Sequence, residues 1–314
     1  MNHNETKKLT IRGRASLISA GLLGRKTPEA EKLFEAPPRG VVTIINDCRD
    51  DNARGRQEAR VTALTGLPTV FIGVPRDIEA AANLIDALDA VENANPDSKN
   101  RPKNAILVNI APRNGEAKKH ANGTPFGYFW CGNTVVLSSI DGYTLSLVKK
   151  LKLIEQVNVL NIPDALDVLV AEGKLSVSER GRILDTQFRS YEVLPRIAEH
   201  LLRKKHIRST PISIEEIATL PSDYIWEKDI FGNCQTATLD GEIENNDFFR
   251  SHGVIKSYPR LKDVPDGVLG IVGGSSGFKD RRFVEIVVQG GKASKRLPDL
   301  PREIWTEVIK NLCP

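Results

Sequence analysis

The segment Val41-Val-Thr-Ile-Ile-Asn-Asp-Cys-Arg-Asp-Asp-Asn52, followed by Ala53 to Thr65, decides how the chain is read. Val41 to Ile45 is an unbroken run of apolar and β-branched residues, the pattern of a buried strand. It ends in a polar cluster, after which Ala53 to Thr65 carries Arg, Gln, Glu and Ala, with Asp50, Asp51 or Asn52 available as the helix cap. The same unit recurs downstream. Thr69 to Val74 reads as a strand, and Asp77 to Val91 as a helix whose Ile78, Ala81, Ala82, Ile85 and Leu88 share one face. A third strand, Ala105 to Ile110, runs into a loop of Pro, Arg, Asn, Gly and Lys. This alternation predicts an N-terminal α/β domain with a mainly parallel central sheet and a ligand crevice at the carboxyl ends of its strands.

Farther along, Phe126 to Ile140 reads as one or two strands broken at Cys131-Gly132-Asn133, and Gln156 to Ile162 as another. Helices are expected over Ala165 to Ala171, Ser178 to Leu184 and Tyr191 to Lys205. Pro195 is tolerated only in a first turn, which puts the start of the last one near Glu192. The basic stretch Arg203 to Pro211 reads as a linker. The layout is then a basic arm over 1–39, an α/β domain over 40–205, and a smaller β-rich domain over 211–314. Short strands at Asp223 to Lys228, Asn233 to Leu239 and Val254 to Tyr258 point to an antiparallel barrel or sandwich, closed by a helix over Arg302 to Leu312. Two more strands, ending at Val272 and Val288, are each followed by paired glycines, Gly273-Gly274 and Gly290-Gly291. Ser275 and Ser276 would sit at the mouth of one turn, with Gln289 and the Gly290 amide at the other. Such an edge suits a polar, nucleoside-sized ligand, and it equally suits a plain hairpin.

The composition, 40% hydrophobic and 27% charged over 314 residues with a net charge of +4, is that of a globular protein. No apolar run reaches the roughly 20 residues that span a bilayer. The leader lacks the apolar core of a secretory signal and reads as an amphipathic helix or loose arm. Cys48, Cys131, Cys234 and Cys313 form no C-x-x-C, so neither a metal site nor a disulfide framework is signalled, and a reducing, cytoplasmic setting fits. Basic residues are scattered rather than striped with aromatics, so nothing demands nucleic acid as a partner. P-loop, dinucleotide-fold, nucleophile-elbow and zinc-protease motifs are absent.

Three constellations carry chemistry. Asp47, beyond a strand end, could accept hydrogen bonds from a ribose diol, or simply cap a helix. Asp229-Ile-Phe-Gly-Asn233 places an acid and an amide around Phe231, suited to an amino-acid head group or to an Asx turn. Gln187-Phe188-Arg189-Ser190-Tyr191-Glu192 offers an aromatic face, a hydroxyl and a helix start. Arg113 and Asn114, in the loop Ala111 to Gly115, could overhang the same crevice. His200 reads as a packed structural residue and His120 as solvated.

Taken in order, the strand ending in Asn46-Asp47, the Phe188-Arg-Ser-Tyr-Glu-Val-Leu-Pro195 segment, Asp229-x-Phe-Gly-Asn233, and Ser275-Ser-Gly-Phe278 with Val284-Glu-Ile-Val-Val-Gln-Gly-Gly291 resemble the S-adenosylmethionine hydroxide adenosyltransferase family, which includes the fluorinases and chlorinases. The likeness runs from Val41 to Leu297, with Lys279 to Phe283 interrupting the last block. The resemblance implies a homotrimer binding S-adenosylmethionine as substrate between subunits, with no separate cofactor or metal. It implies Asp47 on the ribose hydroxyls, Phe188 and Ser190 beside the nucleoside, Asp229 and Asn233 on the methionine with Ser275 and Ser276 near that end, and Gly290 on adenine. Where hydrolytic members carry an Asp-Pro-Gly-Val-Gly loop, a following arginine and a histidine, this chain has Ala111-Pro-Arg-Asn-Gly115, Lys118 and Arg189. Arg113, Asn114, Lys118 and Arg189 are therefore the candidates for the reactive role. The expected activity is displacement of methionine from C5′ of the adenosyl group, with water or hydroxide giving adenosine. The alternatives are a non-catalytic or regulatory binder of S-adenosylmethionine or a related nucleoside, and a basic RNA-associated protein.

Overall fold

A computed structural model describes residues 40–94, 101–111, 124–186, 188–220, 224–245 and 256–296. The amphipathic helix or loose arm expected over 1–39 and the helix expected over Arg302 to Leu312 fall outside these residues. Among the described residues the first sheet has seven strands: β1 (Val42–Asn46), β2 (Thr69–Gly73), β3 (Asn104–Asn109), β4 (Phe126–Cys131), β5 (Thr134–Ser139), β6 (Gln156–Leu160) and β7 (Ser209–Ser213), in the order β2-β1-β3-β5-β4-β6-β7. The β2-β1-β3-β5 half is parallel, and β4, β6 and β7 pair antiparallel. The sheet is mixed because Gly132 and Asn133 join β4 to β5 by a tight turn, and so short a connection permits only antiparallel neighbours.

Strand periodicity sorts the side chains into two cores. Val42, Ile44, Ala105, Leu107, Val135 and Leu137 face one cluster, while Ile45, Ile106, Val108 and Val136 face the other. Helix α1 (Asp51–Thr65) starts at Asp50, whose carboxylate accepts the Ala53 amide at 3.0 Å, and stops at the left-handed Gly66. Helix α2 (Asp77–Glu92) buries Ala80, Leu84 and Ala87 besides the face read from sequence, because a second sheet covers its far side. Then follow α3 (Ser146–Lys150), α4 (Ile162–Ala171), α5 (Val177–Leu184), α6 (Arg189–Glu192) and α7 (Leu194–Leu202). The single helix expected over Tyr191 to Lys205 is two, parted at Val193, with Pro195 in the first turn of α7 where its missing N–H is harmless. The stretch read as a linker ends in β7, which pairs with β6 from Ser209 to Ser213, so the first sheet continues through Pro211. Pro211 is accommodated because β7 is an edge strand.

The second sheet comprises β8 (Ile225–Lys228), β9 (Cys234–Leu239), β10 (Lys256–Ser257), β11 (Leu269–Phe278) and β12 (Arg281–Val288), in the order β10-β11-β12-β9-β8. It is antiparallel except for β10 beside β11. A short helix, α8 (Ala293–Arg296), follows. The two sheets share one core, in which Ile45, Leu84 and Phe129 join Trp226, Ala237, Leu239 and Phe283. No helix among the described residues is long and apolar enough to cross a membrane.

Gly273-Gly274 does not end its strand. Strand β11 runs on to Phe278, with an irregular stretch between Gly273 and Gly277, and the reversal falls at Lys279-Asp280. Gly274 and Gly277 serve close packing instead: a Cβ on Gly274 would lie 2.6 Å from the Glu285 carboxylate, and one on Gly277 2.3 Å from the Arg281 carbonyl oxygen. The hairpin tip is clasped by α2. Asp86 accepts the Ser276 hydroxyl at 2.8 Å and the Gly277 amide at 3.0 Å, and Asp89 accepts the Lys279 amide at 2.6 Å and Arg282 at 2.9 Å. Replacing Asp86 by Ala strands the Gly277 amide and should lower unfolding stability by about 1–3 kcal/mol. Ser276→Ala, which leaves the amide contact intact, should cost less, and urea unfolding of the two variants measures the difference.

Candidate functional site

At the carboxyl end of β1 the backbone is fixed by buried polar contacts. Asn46 donates to Gln57 of α1 at 2.8 Å, and its side-chain oxygen accepts the Cys48 amide at 2.8 Å. These contacts turn the chain out of the sheet and seat Asp47, 9% exposed, at the strand end. Asp47 does not cap α1, a role that belongs to Asp50. Its carboxylate instead accepts the Ala111 amide at 3.0 Å, and its own amide donates to Asn109 at 3.4 Å. Asp47 therefore holds the backbone at Ala111, two residues before Arg113 in the chain. Arg113, Asn114 and Lys118 lie outside the described residues.

Beside this strand end a cleft of about 420 Å³ opens between the two sheets. Arg49, Arg76 and Glu79 line it from the first sheet's loops and α2, and Trp226, Glu227 and Lys228 from β8. Gly73 lets the walls meet, since a Cβ there would lie 2.6 Å from that of Arg49. Arg76 donates to Glu79 at 2.9 Å. Burial pushes the Glu227 carboxyl up, and repulsion from Asp86, Glu79 and Asp229 adds to it. The cleft thus connects the loop that leaves Asp47 with the strand that runs into Asp229. None of its six charged or aromatic wall residues was singled out from sequence, because they come from three separate elements and form no local motif.

The Asp229–Asn233 segment is a tight turn between β8 and β9. Asp229 accepts both the backbone amide and the side-chain amide of Asn233, at 2.8 and 2.9 Å. The two polar groups thus converge as expected, and here they hold each other. Phe231 projects from the turn, 68% exposed, beside Ile230 at 86%. The Gly290 loop packs on this turn through the Ser294 amide, which donates to Gly232 at 2.9 Å. Gly290 itself is left-handed, with open space where a Cβ would stand, and the Gln289 carbonyl accepts the Gly267 amide. Ser276 is buried against Asp86 and Gln235, and the Ser275 amide reaches Glu285 at 3.4 Å. Burial raises the Glu285 carboxyl, and Asp229 and Asp86 raise it further, so the second-sheet candidates share one acidic neighbourhood.

Phe188, Arg189 and Ser190 form the start of α6. Phe188 is 67% exposed, while burial alone lowers the Arg189 guanidinium. What anchors α6 is the residue after Tyr191. Glu192 is buried among Arg60 at 3.3 Å, Arg182 at 2.9 Å and Arg196 at 3.2 Å. Arg60 also donates to the Tyr191 hydroxyl at 2.9 Å and lies over its ring. Burial works against the Glu192 charge, but the Arg182 hydrogen bond and the neighbouring guanidinium groups outweigh it and hold the carboxyl below the usual carboxylate range. His200 is fully buried, its Nε2 3.0 Å from the His206 carbonyl oxygen, a packed residue as expected.

No family model matches the chain, and no curated protein matches it. The solved crystal structure of a conserved hypothetical protein from Thermus thermophilus is similar, with a TM-score of 0.48 and 17% identity, covering 82% of this chain and 94% of that one.

A carboxyl held low in the folded state contributes stability above its unfolded pKa of about 4.3, and that contribution is lost as pH falls through the folded value. Glu192→Gln should therefore flatten the acid limb of the stability curve and, by leaving three guanidinium groups around a neutral side chain, lower neutral-pH stability by on the order of 3 kcal/mol. Denaturant titrations from pH 7 down to pH 3 read both effects. Burial pushes the Cys131 thiol up to about 11 and that of Cys234 up to about 12, whereas Cys48 is exposed. At pH 8 a maleimide should modify Cys48 well before Cys131 or Cys234, as peptide mass mapping would show.

Proposed function

We propose that the chain binds S-adenosylmethionine and displaces methionine from C5′ of its adenosyl group, with water or hydroxide giving adenosine. The observation that carries this reading is the cleft that joins the loop after Asp47 to the strand leading into Asp229 and Asn233. Its size lies within the usual range for small-molecule pockets, and its walls hold both charge signs. The Glu79 and Glu227 carboxylates are suited to a sulfonium or ammonium, and Arg49 and Lys228 to a carboxylate. Asp47, anchored on one side by the Ala111 amide, would hold the ribose hydroxyls. Phe188 and Ser190 would flank the nucleoside, with Ser275, Gln289 and the Gly290 amide completing the binding edge.

In the displacement, the oxygen nucleophile forms a bond to C5′ as the C5′–S bond breaks, and where that nucleophile is water it releases one proton to solvent. Methionine leaves as a neutral thioether, so no acid is required. What the protein must supply is alignment and a partly dry setting for the nucleophile, with Arg113, Asn114, Lys118 and Arg189 as the groups proposed to hold it. A homotrimer with sites at subunit boundaries accords with the exposed Phe188, Ile230 and Phe231 side chains, which a neighbouring subunit would cover.

Incubation with S-adenosylmethionine, followed by chromatography, should show adenosine and methionine forming in equal amounts. Asp47→Asn should weaken binding by roughly 10- to 100-fold, the cost of losing a hydrogen bond to a charged acceptor. Calorimetric binding without turnover would replace the enzyme by a nucleoside-binding protein. No binding at all would end both readings.

A further inference from the structure

A second and larger cleft, of about 850 Å³, lies at the other end of the first sheet. Its wall takes in Asn133, just before β5, and Lys103, just before β3, so it sits at the amino ends of the parallel strands, opposite the end that carries Asp47. Tyr128 and Trp130 occupy alternate positions of β4 and share one face. Tyr128 is buried at the back, and Trp130, 36% exposed, stands at the rim. Around them are Arg101, Lys103, Lys204 and Lys205, with His206, and no Asp or Glu lines the cleft among the described residues.

The cations are not equivalent. Arg101 is held by Glu92 at 3.4 Å, Lys205 by Glu172 at 2.7 Å, and the Lys103 ammonium donates to the Leu202 carbonyl at 2.9 Å. The Lys204 side chain has no such partner among the described residues. Lys204 follows the end of α7 in a left-handed conformation, φ 57°, held by its amide on the Leu201 carbonyl at 2.7 Å. Glycine is the usual occupant of that position, and a lysine there is strained. The fold therefore keeps a lysine at a strained backbone position in the same cleft wall that holds the exposed Trp130.

We propose that this cleft binds a nucleotide, its base stacked on Trp130 and its phosphates met by Lys204 and Lys103. An aromatic face beside a cationic wall recognises a base carrying phosphates, whether free or part of a single strand. The test titrates adenosine 5′-triphosphate, inorganic triphosphate and a single-stranded hexaribonucleotide into the full chain by calorimetry. The nucleotide should bind more tightly than inorganic triphosphate, and Trp130→Ala should weaken it by about ten-fold, as loss of one stacked base does. Lys204→Gly should weaken it without lowering the melting temperature, because glycine relieves the left-handed strain; that separates a binding role from a structural one. Tighter binding of the hexamer than of the free nucleotide would assign the ligand as a strand, and the reverse would assign it as free nucleotide, each in support. Asp47→Asn should leave this binding unchanged, so that it stands or falls apart from the adenosylmethionine reading. The proposal is overturned if no probe binds, if inorganic triphosphate binds as well as the nucleotide and Trp130→Ala has no effect, or if Asp47→Asn abolishes the binding.

Discussion

Helix α2 is the constraint on which the rest of the structure depends. Ala80, Ala81, Ala82, Ala87 and both its leucines are buried, and two of its acids, Asp86 and Asp89, receive the hairpin tip between β11 and β12. Small side chains let the second sheet approach, while carboxylates paired with backbone amides fix where along the helix it stops. Apolar packing alone would allow the hairpin to slide, because it has no directional preference. Two aspartates one turn apart remove that freedom. Burial raises the Asp86 carboxyl even though Gly277 and Ser276 hydrogen-bond to it, so the two donors offset only part of the cost of burying its charge.

That docking creates the candidate site. Glu79 and Asn83 lie on the same helix as Asp86 and border the cleft whose other wall is β8. A shift of the second sheet along α2 would change the distance between the Asp47 loop and the Asp229 turn. The opposite end of the first sheet is built differently. There the turn at Gly132 is pressed against Glu92, which accepts the Asn133 amide at 3.1 Å and the Thr134 hydroxyl at 2.5 Å, and a Cβ on Gly132 would lie 2.0 Å from that carboxylate. Glu92 closes α2, so one helix sets the geometry at both ends of the sheet.

Much of the first sheet is legible in the chain. The runs at Val41, Thr69 and Ala105 are continuous enough to mark buried strands, and the Asp50-Asp-Asn52 cluster and Pro195 bracket two helix starts, because capping and the missing proline amide act within a single turn; the structure makes Asp50 the cap of α1 and Leu194 the first residue of α7. The polar ends of those strands point to Asp47 for the same reason, since position at a strand terminus is a local property. Sequence reading misplaces the glycine pair at Gly273-Gly274, because glycine signals a turn and a close approach with equal force; the carboxylate of Glu285 across the ladder makes it the second. Likewise the basic segment before Pro211 has the composition of a linker, and only the vacant edge of β6 makes its end a strand.

The sequence by itself determined the alternation of the first strands and helices, the polar clusters from which their caps are drawn, and the polar residues at those strand ends, all of which depend on neighbours within about one turn. Only the tertiary structure decided that α2 is buried on both sides, that Arg49 and Lys228 share a cleft, and that Trp130 and Lys204 line another. Those pairings join residues tens of positions or more apart, and nothing in local propensity encodes which apolar surface covers which. They are fixed by burial and by the few hydrogen bonds, above all those to Asp86, Asp89 and Glu92, that make one arrangement of the same surfaces better than its neighbours.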